Sequence, residues 1–315
     1  MFIEVLLLSL GFLVCLILGA NNASACFGTS VGAGFVRYSE AAGLAVLGVL
    51  LGVILEGTKL SRAISGGVLV EASLSQELLS VIVITILILM AIATFFHLPL
   101  SLSEGFVGSA IGVGIGAGMS VNWGFSLNIF TFWVVTPFFS ALAATLIYKV
   151  VTRITHAVKG ILTLNYIYGK MTLILSFYVA YVLGANTVGL VSGLYQPILE
   201  RQISALVFGA ATALGIYFLS RGITESVGRS IISLSPSTAL VAQLSGALTV
   251  HIFTQFGFPV SITQALIGGV LGIGLAKRIV LLNTRVARKI VTGWTLAPVI
   301  GAAISYVLVT LAGIA

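Results

Sequence analysis

Apolar residues run along this chain in long blocks that are interrupted rather than alternated by polar ones. The blocks fall near residues 3–20, 41–55, 78–96, 125–148, 171–190, 203–220, 237–256 and 290–314. A bilayer core is crossed by roughly 20 apolar residues in helical form, so the pattern predicts eight membrane-crossing helices. Two further stretches, 98–118 and 258–276, are apolar but broken: each opens at a proline, passes through Ser or Thr residues, and then carries a glycine every few positions. Backbone that is not helical at membrane depth must find partners in protein or a ligand, so such segments predict discontinuous or re-entrant helices. The expected fold class is an all-α polytopic membrane protein, integral and multi-pass in a cell membrane.

The pattern is also duplicated. Leu18-Gly19-Ala20-Asn21 recurs as Leu183-Gly184-Ala185-Asn186, and Pro99-Leu100-Ser101-Leu102-Ser103-Glu104 as Pro259-Val260-Ser261-Ile262-Thr263-Gln264. Gly108, Gly112 and Gly114 correspond to Gly268, Gly272 and Gly274, and Trp133 and Pro137 to Trp294 and Pro298. Four matches in one order, at offsets of 160 to 165 residues, indicate two repeats. The expected organisation is a first repeat over 1–148, a basic cytoplasmic linker over 149–170 and a second repeat over 171–315.

Charge orients the repeats. The loop near 117–123 carries no charge, whereas its counterpart holds Lys277, Arg278, Arg285, Arg288 and Lys289, and the joining segment holds Lys149, Arg153, Lys159 and Lys170. Positive loops stay in the cytoplasm. If both basic loops lie there and 125–148 crosses once, the uncharged loop is outside and the two halves are inverted, a plan that puts a binding site near the midplane. Only 7% of residues are charged and 59% are hydrophobic, against about 25% charged in soluble domains. That excludes an ordinary cytosolic enzyme, a disordered chain and a nucleic-acid-binding module. The net charge of +7 then reads as topology and lipid contact. Cys15 and Cys26 have no ligand-spaced neighbours, and no nucleophile–base pair or nucleotide loop is legible, so neither a metal site nor an enzyme is expected.

Three sets of residues carry candidate chemistry. Asn21 and Asn22 end the first apolar run, and Asn186 with Thr187 repeats them; glycine beside them lets the helix unwind and frees backbone groups. Ser101 and Ser103, with Ser261 and Thr263, stand where a broken helix begins, and the N–H groups and partial positive charge of a helix start suit an anion. A Pro-x-Ser sequence is equally the start of a capped helix. The third set is carboxylates: Glu104 beside the first hairpin serines, Glu56 near Lys59 and Arg62, and Glu225 near Arg221 and Arg229. The latter two also read as loop ion pairs, while an ionisable group at membrane depth is a functional candidate. Glu104 is the sharper case because its counterpart, Gln264, is neutral. His97 and His251 read as interfacial or packed side chains, and His156 lies in the basic linker.

These motifs resemble the inorganic phosphate transporter (PiT) family. The first motif stands as Gly19-Ala20-Asn21-Asn22-Ala23-Ser24-Ala25-Cys26 and the second hairpin as Gly257-Phe258-Pro259-Val260-Ser261-Ile262-Thr263-Gln264. Thr224-Glu225-Ser226-Val227-Gly228, Leu234-Ser235-Pro236-Ser237 and Trp294-Thr295-Leu296-Ala297-Pro298 extend the likeness over nearly the whole chain. The resemblance implies two inverted repeats, two re-entrant hairpins, a central oxyanion site and cation symport. It also exposes departures. The family's aspartates are Asn22 and Thr187 here, the Asn three positions later is Ala25 and Leu190, the hairpin histidines are Glu104 and Gln264, and the middle hairpin Thr residues are Leu102 and Ile262.

The expectation is therefore a secondary permease of inorganic phosphate working by alternating access with a coupled cation. The alternative is a sulfate permease with proton coupling or none, and a third reading is a passive anion channel. Asn21, Asn22, Ser101, Ser103, Asn186, Thr187, Ser261 and Thr263 are the expected substrate-binding residues. Glu104, Gln264, Asn21 and Asn186 are the candidates for the coupling ion, either sodium or a proton, and no other cofactor is expected. The partners expected are the oxyanion and the lipid bilayer, without nucleic acid; a homodimer is compatible with the sequence, which does not decide it.

Overall fold

The computed structural model describes residues 2–314 except 33, 35, 71–73, 97–100, 156–159, 231–234 and 280–283. His97, Pro99, His156, Lys159 and Leu234 lie outside the described residues, as do the side chains of Arg229, Arg285 and Lys289. The described chain is helical almost throughout. The helices are α1 (Phe2–Ala23), α2 (Thr29–Gly32), α3 (Tyr38–Glu56), α4 (Gln76–Phe96), α5 (Leu102–Gly116), α6 (Trp123–Thr155) and α7 (Ile161–Leu183). They continue as α8 (Gly189–Leu194), α9 (Arg201–Leu214), α10 (Arg221–Ser230), α11 (Pro236–Gln255), α12 (Ile262–Lys277) and α13 (Thr284–Ala312).

Among the described residues eight helical stretches are long and apolar enough to cross a membrane, and all eight coincide with the apolar blocks of the sequence. The protein is an integral, multi-pass membrane protein. The two broken stretches form α5 and α12, of 15 and 16 residues. At about 1.5 Å per residue each falls short of the roughly 30 Å hydrocarbon core. Helix α6 runs on to Thr155 and α7 starts at Ile161, so most of 149–170 is itself helical, with Lys149 and Arg153 in the last turns of α6 and Lys170 within α7.

The two halves hold each other by reciprocal contacts. A Cβ added to Gly52 on α3 would overlap the Tyr181 carbonyl oxygen on α7, and one added to Gly215, just after α9, would overlap the Leu16 carbonyl oxygen on α1. The same exchange recurs lower in the sequence: Gly108 and Gly112 on α5 lie against Pro298 and Ala302 on α13, while Gly268 and Gly272 on α12 lie against Pro137 and Ala141 on α6. Thus α1 packs on α9 where its counterpart α7 packs on α3, and α5 packs on α13 where α12 packs on α6. Water does not drive helices together in lipid, so close backbone approach through small residues supplies the adhesion. The opposite flank of α6 turns Phe138, Leu142, Leu146, Val150 and Ile154 outward, an apolar stripe for lipid. Buried hydroxyls are mostly spent on a carbonyl one turn back, as in Ser176 to Thr172, Thr212 to Phe208 and Thr249 to Ser245, which keeps them satisfied in an apolar medium.

Candidate functional site

A π-turn accompanies each copy of the Gly-Ala-Asn motif, following the first copy and containing the second. After α1 the backbone widens into a π-turn over Ser24–Gly28, and after α7 into another over Gly184–Val188. Single π-turns of this kind cluster at functional sites, because a shifted hydrogen-bond ladder re-aims side chains and frees carbonyls. The two copies differ in their surroundings. Asn21 is exposed, and Asn22, half-buried, donates Nδ2–H to the Leu18 carbonyl in its own helix at 3.1 Å. Asn186 is completely buried and donates Nδ2–H to Thr254 Oγ1 on α11 at 2.8 Å, while Thr187 Oγ1 donates to Asn186 Oδ1 at 3.4 Å.

Helix α11 reaches the first turn as well, because Gln243 donates Nε2–H to the Cys26 carbonyl at 3.3 Å. One helix of the second half therefore braces both turns. Neither Gln243 nor Thr254 stood out in the sequence; the signal that could have found them is the run of polar residues spaced along an otherwise apolar, deeply buried helix.

The hairpin residues form a second group. Ser101 and Ser261 occupy the residue before the first turn of α5 and α12, and Ser101, Ser103 and Ser261 are all buried. Ser261 Oγ accepts the Gln264 backbone N–H at 3.3 Å and lies 2.8 Å from Thr263 Oγ1. The capping reading of this serine is thus realised, with the Thr263 hydroxyl beside it. Ser101 makes no such side-chain cap. Trp133 on α6 donates Nε1–H to the Pro259 carbonyl at 2.8 Å and pins the start of the second hairpin to the first half.

The two short helices meet at their first turns. Gln264 Nε2–H donates to Glu104 Oε1, and both side chains are buried. Glu104 Oε2 and Gln264 Oε1 are buried without a hydrogen-bond partner. This pair opens onto a groove of about 1250 Å³ between α5, α6, α12 and α13, walled by Trp133, Trp294, Pro137 and Pro298. The structure therefore joins Glu104 to Gln264, Ser261 to Thr263 and Asn186 to Thr187. Among the described residues no hydrogen bond joins Asn21, Asn22 or Asn186 to the hairpin hydroxyls, although α12 touches the Ser24–Gly28 turn.

The remaining titratable residues change one expectation. Glu56 ends α3 and faces α11 rather than its own loop: its Oε2 accepts from His251 Nε2 at 2.9 Å and from Gln255 Nε2. His251 Nδ1 lies 2.9 Å from the Tyr178 hydroxyl. Glu56 is thus partnered across 195 residues, not by Lys59 or Arg62, and His251 is a hydrogen-bonded member of a cluster rather than simple packing. The geometric reason is that α3 lies along α7, which in turn lies along α11. Glu225 does pair with Arg221 at 3.1 Å, one turn apart on α10 with both side chains solvent-accessible.

A sequence model described as the phosphate transporter family matches residues 18–167 and again 162–305, once on each half. A candidate phosphate permease of Methanocaldococcus jannaschii is 31% identical over 96% of this chain and 95% of its own. The sulfate permease CysP of Bacillus subtilis is 29% identical over 93% of this chain and 84% of its own. A solved structure titled as the sodium-dependent phosphate transporter superposes with a TM-score of 0.83 at 23% identity, covering 99% of both chains.

Proposed function

The chain belongs to the phosphate transporter family, and from that premise we propose that it is a secondary transporter carrying inorganic phosphate across the membrane by alternating access, coupled to a cation. The observation that carries the reading is the meeting of α5 and α12 at their first turns, with α12 touching the π-turn that follows Asn21 and Asn22. A helix start presents unpaired N–H groups and partial positive charge to an anion, and Ser101, Ser103 and Thr263 add hydroxyl donors there. Asn21 and Asn22 on one side, and Asn186 and Thr187 on the other, hydrogen-bond the oxyanion or hold the loosened backbone around it.

The inverted arrangement follows from counting crossings. If α4 and α5 form one hairpin that returns to the side it entered from, then α1, α3 and α6 are three crossings. The second half then begins on the opposite face and runs inverted, with α11 and α12 as its hairpin. Rocking of one half against the other exposes the site to each side in turn.

The coupled cation is taken to be a proton. Hard cations favour several oxygen ligands with anionic charge among them, and both Asn motifs offer only neutral side-chain oxygens, in a chain without a single aspartate. The same absence favours sulfate as the second reading for the substrate. Phosphate near neutral pH often carries a P–OH that a carboxylate acceptor recognises, whereas sulfate has none and is served by donors alone.

Uptake of labelled phosphate and labelled sulfate into proteoliposomes, with sodium and proton gradients imposed separately, tests all of this. Proton-driven phosphate accumulation is the expected result. Sulfate accumulation that phosphate does not compete with selects the second reading. Accumulation of neither anion under either gradient rejects oxyanion transport.

A further inference from the structure

The Glu104–Gln264 pair contains a chemical mismatch. An ionised carboxylate is acceptor-only, and an amide brings one acceptor and two donors. One amide hydrogen is used on Glu104 Oε1. The two oxygens left over, Glu104 Oε2 and Gln264 Oε1, are both acceptors, both sealed from solvent and both without a partner. Buried polar atoms are nearly always satisfied, and here two unsatisfied ones belong to side chains already bonded to each other. A single hydrogen on Glu104 Oε2 removes the mismatch, because it donates to Gln264 Oε1 and closes a ring of two antiparallel hydrogen bonds between acid and amide.

The groove holds one other unpaired buried polar group, the Trp294 Nε1–H, and it is hydrogen-bonded to neither Glu104 nor Gln264. From α4 the Ile86 and Leu89 side chains approach Gly105, and from α13 come Pro298 and the backbone of Gly301. From α6, Trp133 lines the same groove, and its N–H is spent on Pro259. Arg278 is the other charged residue lining the groove. It stands fourteen residues along α12 from Gln264, about 21 Å at 1.5 Å per residue. Among the described residues no cation or second carboxyl faces Glu104.

We propose that Glu104 stands here as a carboxylic acid doubly hydrogen-bonded to Gln264, that this acid–amide pair latches the two halves together, and that its hydrogen is the proton exchanged in transport. This rests on the reading of the chain as a proton-coupled oxyanion transporter. One acid facing one amide is a one-proton device: two acids would place two titrating groups at the contact, and two amides could release nothing. When the proton leaves Glu104 for the open side of the membrane, the carboxylate keeps one donor from Gln264 and turns its other oxygen against the amide oxygen. Repulsion and the need to solvate the new charge part the first turns of α5 and α12, and reprotonation from the other side closes them.

The test uses the full chain in lipid, with two readouts. Infrared difference spectra of wild type against E104Q at neutral pH are expected to show the carbonyl band of a protonated carboxyl in wild type and its loss in the variant. The amide–amide pair of E104Q retains both hydrogen bonds, so the variant is expected to fold. In proteoliposomes E104Q is expected to lose proton-driven accumulation by at least about tenfold, equivalent to about 1.4 kcal/mol, and the double swap E104Q/Q264E to recover it with the proton on the other half. Absence of the carboxyl band overturns the proposal, whatever is transported. Full proton-driven accumulation by E104Q overturns it too, and failure of a folded double swap to recover any accumulation rejects a shared proton. If wild type carries neither anion, the transport reading falls, while the infrared band still decides the state of the pair.

Discussion

The two copies of the Gly-Ala-Asn motif stand in opposite environments. Asn186 is sealed and strapped to α11 through Thr254, whereas Asn21 is exposed and Asn22 bonds only within its own helix, although the π-turn that follows them is also held to α11, through Gln243. Their backbones differ as well: Gly184-Ala185-Asn186 lies within its π-turn, whereas Gly19-Ala20-Asn21 is still regular helix and its π-turn begins only at Ser24. The shared sequence therefore fixes neither the local backbone nor its surroundings; packing decides both. A transporter needs both kinds of element: a fixed wall against which binding energy is realised, and an accessible wall that admits solvent and substrate.

The largest effect is expected where α1, which carries the first copy, lies against the segment that follows α9. Replacing Gly215 by Leu drives a side chain into the Leu16 backbone, where neither helix can yield. Overpacking usually costs about 1–3 kcal/mol, and a backbone collision lies at or above the top of that range, so G215L is expected to yield little folded protein by size-exclusion chromatography in detergent. A sharper comparison is Asn186→Leu against Asn21→Leu. The first leaves Thr254 without its donor and should lower thermal stability by about 1–3 kcal/mol. The second alters an exposed position and should move stability by no more than about 0.5 kcal/mol, while reducing oxyanion uptake. Equal melting temperatures for the two variants would erase the distinction between a sealed and an open copy of the motif. The smallest effect belongs to Arg221→Ala. The exposed Arg221–Glu225 pair should contribute about 0.5 kcal/mol or less, with no change in uptake unless α10 forms part of the vestibule.

The sequence displayed what depends on local pattern. Eight apolar blocks became eight membrane-length helices, and the two Pro-led, glycine-spaced stretches became the two short ones. Glycines repeating at 52 and 215, or at 112 and 272, were visible as letters, but the carbonyls they lie against were not, because partner choice is a property of the assembled halves. The pairing of Glu56 with His251 was hidden for a similar reason: nearby basic residues compete in sequence, while helix packing decides in space. Alignment identified Glu104 and Gln264 as counterparts but could not place them in contact. Their contact appears only once α5 and α12 are packed together.

Reciprocal packing also sets a schedule for biogenesis. Helices leave the ribosome in order, and α1 rests on α9, α5 on α13, and α6 on α12. The first half therefore enters the bilayer before the surfaces that complete it have been synthesised. Its glycine-lined faces must wait in lipid: 199 residues separate Leu16 from Gly215, and 190 separate Gly108 from Pro298. A chain cut short before Thr284 leaves Gly108 and Gly112 of α5 without the Pro298 and Ala302 backbone they lie against.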